Sequence, residues 1–436
     1  MLTIGAASKV INPQVGSFTQ GGLHETRAKR IRDDLEANAL LFRRAAESVL
    51  LISCDLACLE ADVIVAAREA IAARTSIPPR NVIVTCTHTH EGPVCCFTNP
   101  HLPRDEAYLG RLRGWLVEVA EQAVAAARPA RVGWALGSAH VGYNRRACWA
   151  DGTHTMHGDA TRPDFTGLEG PDDPRHFVLF AEDADGKLLG VLHGNSAHAT
   201  VLYGLDGFSA DYPGAARGLL RQALGPVPVL YLNGGIGDQA ERSMLAAGGL
   251  KPDRTRRLQE KASLLAGETL RLMGQADLHE HAVLRHRFED LRLPVRLPSA
   301  EAADSARRAL EGPRCGDLKP MERMFAHGLR LLYERYKDNP WDTVPVHAIR
   351  IGDAAIVTNP CELYCQFSLD IKRRSPARHT AVADLADGYC GYCPTTSAAL
   401  TGGYSSDLFC WCRLGFEAGY RIVETAAKLL HALWKD

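Results

Sequence analysis

Several signals that would direct this chain elsewhere are missing. Met1-Leu2-Thr3-Ile4-Gly5 runs straight into a strand-like stretch, with no basic region, apolar segment or small-residue cleavage site behind it. No stretch approaches the roughly 18–20 consecutive apolar residues that cross a bilayer. The chain is therefore expected to be soluble, cytoplasmic by default and without a membrane partner. Charge of one sign is also missing: 50 Lys and Arg stand against 51 Asp and Glu, a formal net charge of −1. No overall field draws nucleic acid or an anionic surface, and a small uncharged or mixed-charge substrate suits that balance. Oligomeric state stays open, a homo-oligomer included.

Linkers and repeats are absent too. The 436 residues hold no Pro/Gly/Ser-rich or charge-run boundary and no internal period, so one large domain is expected rather than two or three. With 46% hydrophobic and 23% charged residues, the chain has ample material for a core, which excludes disorder as the default. Thirteen cysteines are present, an odd number, and some stand too close in sequence for a relaxed bridge, as in Cys95-Cys96 and Cys410-Trp411-Cys412. Without a secretory signal they are expected to be free thiols.

What is there is an alternation of helices and strands. Residues 48–53 read as a buried strand, 61–73 as a helix and 81–85 as a second strand after Pro78-Pro79, a βαβ unit that favours parallel pairing. Further helices are expected over 106–127, 213–223, 254–273, 300–311 and 419–433. Strands are expected over 131–134, 177–180, 188–193, 227–232, 348–351 and 354–357. The class is α/β, with mixed sheets flanked by helices.

Three segments carry chemistry. Thr87-His88-Thr89-His90-Glu91-Gly92-Pro93 follows a buried strand, and residues two apart on an extended segment face one side. Both imidazoles can then serve one metal, although a hydrogen-bonded pair at a strand end has the same spacing. His198 follows the strand before Asn195, and alone it reads as a structural histidine. Glu362 sits past another strand, where a helix N-terminal acid is the ordinary role.

In series, these segments resemble the N-terminal catalytic domain of the neutral/alkaline, non-lysosomal ceramidases. The likeness runs through Thr-His-Thr-His-x-Gly-Pro, Tyr143-Asn144-Arg145, the His198 segment with Asp211-Tyr212-Pro213-Gly214 behind it, Asn233 to Asp238, Glu362, and Gly388-Tyr389-Cys390-Gly391-Tyr392 onward. It implies one zinc ion per chain held by His88, His198, Glu362 and Tyr392, with His90, Arg145 and Tyr404 facing the substrate. Residues 244–344 match poorly and are read as a family-specific insertion.

Departures from the pattern shape the expected chemistry. The position of the family's serine falls on Ala240 in Gly237-Asp238-Gln239-Ala240-Glu241, so a hydroxyl-dependent mechanism is ruled out there. Glu91 takes a position usually held by serine and brings a carboxylate beside the histidines. Direct attack by zinc-bound hydroxide is expected, with Glu91 or His90 as general base, Asp238 able to serve the same purpose, and Arg145, Tyr404 and zinc stabilising the oxyanion. Glu91 as a partner that merely orients a ligand histidine is the alternative. No further C-terminal immunoglobulin-like domain is expected after residue 434. Residues 149–157 are expected to form a lid, and small polar amides are favoured over long-chain ones. The resulting expectation is a zinc-dependent hydrolase of linear amide bonds. A zinc-dependent lyase, an ester hydrolase on the same scaffold and a non-catalytic zinc-binding relic are the alternatives. Two cysteine readings also stand open: a tetrathiolate site from Cys390, Cys393, Cys410 and Cys412, and a thiol nucleophile at Cys95 or Cys96.

Overall fold

Period-2 burial organises the molecule. In the computed structural model, which describes residues 1–22, 25–246, 253–313 and 315–435, adjacent residues of one strand enter different cores. Leu41, Leu50, Ile52, Val82 and Val84 pack on one side, while Leu40, Phe42, Val49, Leu51 and Ile83 pack on the other. Alternating side chains that are apolar on both faces demand cover on both faces. The first face is covered by the helices Ala61–Thr75 and Glu106–Ala125. The second packs against another sheet, since Ile349, Ile351, Ile356 and Ala381 share its core. The outer face of that second sheet is in turn covered by Cys365–Arg374 and Ala418–Trp434. The layers are thus helices, sheet, sheet, helices: an α/β fold with mixed sheets.

The larger sheet runs Val229–Asn233, Leu188–Asn195, Arg175–Asp183, Arg128–Ser138, Leu2–Val10, Glu36–Arg44, Glu47–Cys54, Val82–Cys86. Its two terminal pairs are parallel and the pairs between them antiparallel. The sheet curls so that its ends meet: Ser53 Oγ donates to Tyr231 O at 2.7 Å, and Asn233 Nδ2 to Thr87 O at 3.0 Å. The smaller sheet runs Leu284–Pro294, Trp341–Ile351, Ala354–Thr358, His379–Ala383, and its last pair is parallel.

Most expected elements are present with shifted ends. The 61–73 helix extends to Thr75, the 106–127 helix stops at Ala125, and 254–273 and 300–311 coincide with Arg254–Met273 and Ala300–Glu311. Three further helices, Pro320–Tyr336, Cys365–Arg374 and Thr396–Thr401, and the strands Glu36–Arg44, Leu284–Pro294 and His379–Ala383 also form. Free thiols are corrected at one pair, Cys58 and Cys96, which form a disulfide with Cα atoms 6.4 Å apart. The other eleven cysteines are free. No helix among the described residues is long and apolar enough to cross a membrane.

Candidate metal centre

Every chemistry-bearing segment lies just beyond the C-terminal end of a strand in a parallel pair. His88 and His90 follow Val82–Cys86, His198 follows Leu188–Asn195, and Glu362 follows Ala354–Thr358. In open α/β sheets that edge is where ligands bind, because the loops there splay apart. Here two sheets present such edges to one another. A bridge between Thr89 and Ala199 stitches the histidine segments, and Cys361–Leu363 pairs in parallel with Gly391–Cys393, setting Glu362 opposite Tyr392.

His88 departs from the extended conformation expected of it. Its φ is +66°, a left-handed backbone that non-glycine residues adopt at a cost. Two contacts hold it there: its N–H donates to Leu56 O at 2.9 Å, and its Nδ1 meets Ala57 O at 2.8 Å. The imidazoles of His88 and His90 still converge, with Nε2 atoms 3.2 Å apart and rings at 89°. The meeting therefore comes from a turn at His88 rather than from strand alternation.

The tautomers follow from the partners. A backbone carbonyl only accepts, so His88 carries its proton on Nδ1 and presents a lone pair at Nε2. His198 behaves alike: Nδ1 faces Gln239 O at 3.1 Å, and Nε2 lies 2.9 Å from Arg145 Nη2, which only donates. Between these lone pairs stands the Glu362 carboxylate, with Oε2 3.1 Å from His198 Nε2 and 3.5 Å from His88 Nε2. Among the described residues no hydrogen bond satisfies that buried oxygen, whereas Oε1 accepts from Tyr389 Oη at 2.8 Å. Burial, then the Arg145 charge, drives the His198 pKa far down, leaving it neutral.

His88 Nε2 and Glu362 Oε2 face one another without a proton between them, and His198 Nε2, shared with Arg145 Nη2, completes a group of acceptors that calls for a cation. His88, His90 and His198 have ligand atoms within 4.8 Å of one another, and Tyr392 Oη lies 3.4 Å from His198 Nε2. Two imidazoles, a carboxylate and a phenol suit a borderline ion such as zinc. Each imidazole is also oriented by a backbone carbonyl on its far nitrogen, as metal-binding histidines usually are. A metal fits these residues.

The remaining expected residues surround this centre. Arg145 is buried, and its Nη2 also lies 2.9 Å from Gly237 O and 3.2 Å from Tyr392 Oη. The half-buried Tyr404 ring stands 6.1 Å from that of Tyr392. His90 is half-buried, and burial is the first cause that pushes its pKa down to about 3, so it is neutral. Asp238 is a clamp: Oδ1 accepts from Cys365 N at 2.8 Å and Gln239 Nε2 at 3.2 Å, Oδ2 from Asn144 Nδ2 at 2.9 Å. Its backbone carbonyl takes the Arg145 N–H at 2.9 Å. Glu91 turns toward the 204–205 turn, where Oε1 accepts from Leu205 N at 3.3 Å. Burial raises its pKa to about 8.

The cysteine alternatives are not formed. The metal-capable group gathered among the described residues is the imidazole cluster, not Cys390, Cys393, Cys410 and Cys412. Cys96 is tied to Cys58, and burial drives the Cys95 pKa well above its ordinary value, which suppresses its thiolate. Residues 149–157 build part of a three-stranded sheet, with Arg146–Trp149 between His154–Met156 and Phe165–Leu168. Three contributors escaped sequence reasoning: the Tyr389 phenol, three residues before Tyr392, and the Ala57 and Gln239 carbonyls, which have no side-chain signature.

No protein-family model and no curated protein sequence matches this chain. Among solved structures, the neutral ceramidase from Pseudomonas aeruginosa superposes with a TM-score of 0.76 at 19% identity, covering 99% of this chain and 74% of that one. A ceramidase complexed with C2 superposes at 0.77 and 18% identity, covering 100% and 75%. The chain has a ceramidase-like fold.

Proposed function

We propose that this protein is a zinc-dependent hydrolase that cleaves an amide-type bond in a small polar substrate. The observation that carries the proposal is the orphaned Glu362 Oε2, set between two imidazole lone pairs. The ceramidase-like fold adds support, because the named relatives are ceramidases. His88, His198, Glu362 and Tyr392 hold the ion. When bound, zinc supplies Lewis acidity, polarising a carbonyl and lowering the pKa of water toward about 7.

The chain's own groups do the rest. Arg145 donates from Nη2 toward the centre and so faces the oxygen on which negative charge develops, with the Tyr404 phenol on the same side. His90 is neutral and half-buried beside His88, and would take the proton that attacking water gives up as a weak base, because burial lowers its pKa. Glu91 is less suited to that task, since its carboxyl holds a proton near neutrality and serves the 204–205 amides. Ala240, buried in the strand Gln239–Ala240, offers no hydroxyl, so water attacks directly and no covalent acyl-enzyme forms on that residue.

A panel of small linear amides, lactams and esters, assayed with metal-free and zinc-reconstituted protein, tests the proposal. Turnover of an amide that appears on adding one equivalent of zinc and vanishes in His198→Ala is the expected result. Zinc-independent turnover, or zinc-dependent turnover of esters alone, contradicts it.

A further inference from the structure

Charge beside Arg145 is unbalanced in a way that the metal ligands do not explain. Two segments hang from the backbone of Arg145: its N–H donates to Asp238 O at 2.9 Å, and its carbonyl accepts from His157 N at 2.8 Å. The first segment continues through Gln239–Ala240, which pairs with Tyr143–Asn144, to Arg242. The second places His157 at the end of the His154–Met156 strand with φ of +57°, a left-handed backbone of the kind found where function fixes a side chain. Both side chains are half-buried. His157 Nδ1 is buried, with no hydrogen-bond partner among the described residues.

Neighbouring acids are already engaged. Glu241 accepts from Thr200 Oγ1 at 2.8 Å and pairs with Arg257 at 3.4 Å. Glu169 pairs with Arg146 and with His154, both at 2.6 Å. Asp172 takes His140, and Asp238 is the clamp described above. Among the described residues no carboxylate pairs with Arg242, and the acceptors of Arg145 are a neutral imidazole, a carbonyl and a phenol. Burial first, then the charges of Arg145 and Arg242, push the His157 pKa down to about 3. Arg145 is tied to both segments through its backbone, and the His157 imidazole is neutral, with no hydrogen-bond partner for its buried Nδ1 among the described residues. Half-burying an arginine without a counter-charge is unfavourable, and a guanidinium fork matches a carboxylate in two parallel hydrogen bonds.

We propose that Arg242, assisted by His157, recognises a carboxylate on the substrate, so that the preferred amides are N-acylated amino acids or similarly anionic compounds. The proposal rests on the reading of the site as an amide hydrolase, and it adds the chemical class of substrate. Arg242 and His157 are specificity residues: they grip the part of the molecule that does not react and set KM more than kcat.

N-acetylglycine and N-acetylglycinamide differ only in this charge, and calorimetric titration of each into zinc-loaded and metal-free protein tests the idea apart from turnover. The wild type is expected to bind the acid at least ~10-fold more tightly than the amide, with the preference reduced at high salt. In Arg242→Gln that ratio falls to about one, and Arg242→Lys keeps part of it; zinc content and melting temperature confirm that each variant is folded. Equal binding of the two compounds by the wild type, or an unaltered ratio in Arg242→Gln, overturns the proposal. Preference for the acid without cleavage of either compound leaves carboxylate recognition standing while the hydrolase reading fails. Cleavage of both at equal kcat/KM does the reverse.

Discussion

The metal centre and its mouth are built to different standards. At the centre, His88, His198 and Glu362 are buried at strand ends, and each is fixed by a second contact: Ala57 O, Gln239 O and the Tyr389 phenol. At the proposed mouth, His157, Arg242 and Tyr404 are half-buried and come from loops or loop-like segments. The difference separates two tasks. Chemistry needs ligands held to fractions of an ångström by rigid elements, while selection among substrates is served by segments that can vary without moving the ligands. Arg145 joins the regions, since its side chain touches the centre and its backbone carries both segments of the mouth.

The largest effect expected from breaking this division lies at the centre. His198→Ala or Glu362→Ala should release zinc and lower kcat/KM by about 10³-fold or more, as read by metal analysis beside the assay. Normal zinc content in both variants would show that other groups hold the ion. Next comes the clamp. Asp238→Asn turns an amide toward one of three donors, Cys365 N, Gln239 Nε2 or Asn144 Nδ2, and should cost about 1–3 kcal/mol in denaturant unfolding. It should also reduce kcat by about 10-fold through Arg145, with zinc retained. Loss of stability without a change in kcat would limit Asp238 to the fold.

Tyr389→Phe sharpens the comparison from inside the centre. It removes the hydrogen bond to Glu362 Oε1 and should weaken zinc about 10-fold in competition with a chelator. The mildest change is Glu91→Gln. Burial raises this carboxyl from 4.5 to about 8, so the folded state binds its proton more tightly than the unfolded chain does. The stability it contributes is complete below pH 4.5 and is lost progressively as pH rises through 8. Melting temperature should therefore fall between pH 5 and 8 in the wild type and fall less in Glu91→Gln, with turnover within ~10-fold. Abolished turnover with zinc intact would make Glu91 the base in place of His90.

How far the sequence carried depended on where the information sits. Long periodic elements were legible because their apolar spacing is local: Arg254–Met273 and Ala300–Glu311 came out to the residue. Pro320–Tyr336 lay in the stretch with no family pattern to support it, and Leu284–Pro294 carries so many charged residues on its exposed positions that its alternation was masked. The residues gathered at the centre were legible only as a series, since each alone has an ordinary structural role. Three-dimensional facts stayed hidden. The left-handed His88, the Cys58–Cys96 disulfide across 38 positions and the orientation of Glu91 away from the imidazoles all depend on distant backbone.

One measurement addresses the central claim without an assay: anomalous diffraction at the zinc edge from crystals of the zinc-loaded protein. A single peak should appear within ~2.0–2.3 Å of His88 Nε2, His198 Nε2 and Glu362 Oε2, with the Tyr392 phenol beside it. A peak elsewhere, or none in protein that has taken up zinc, would contradict the account.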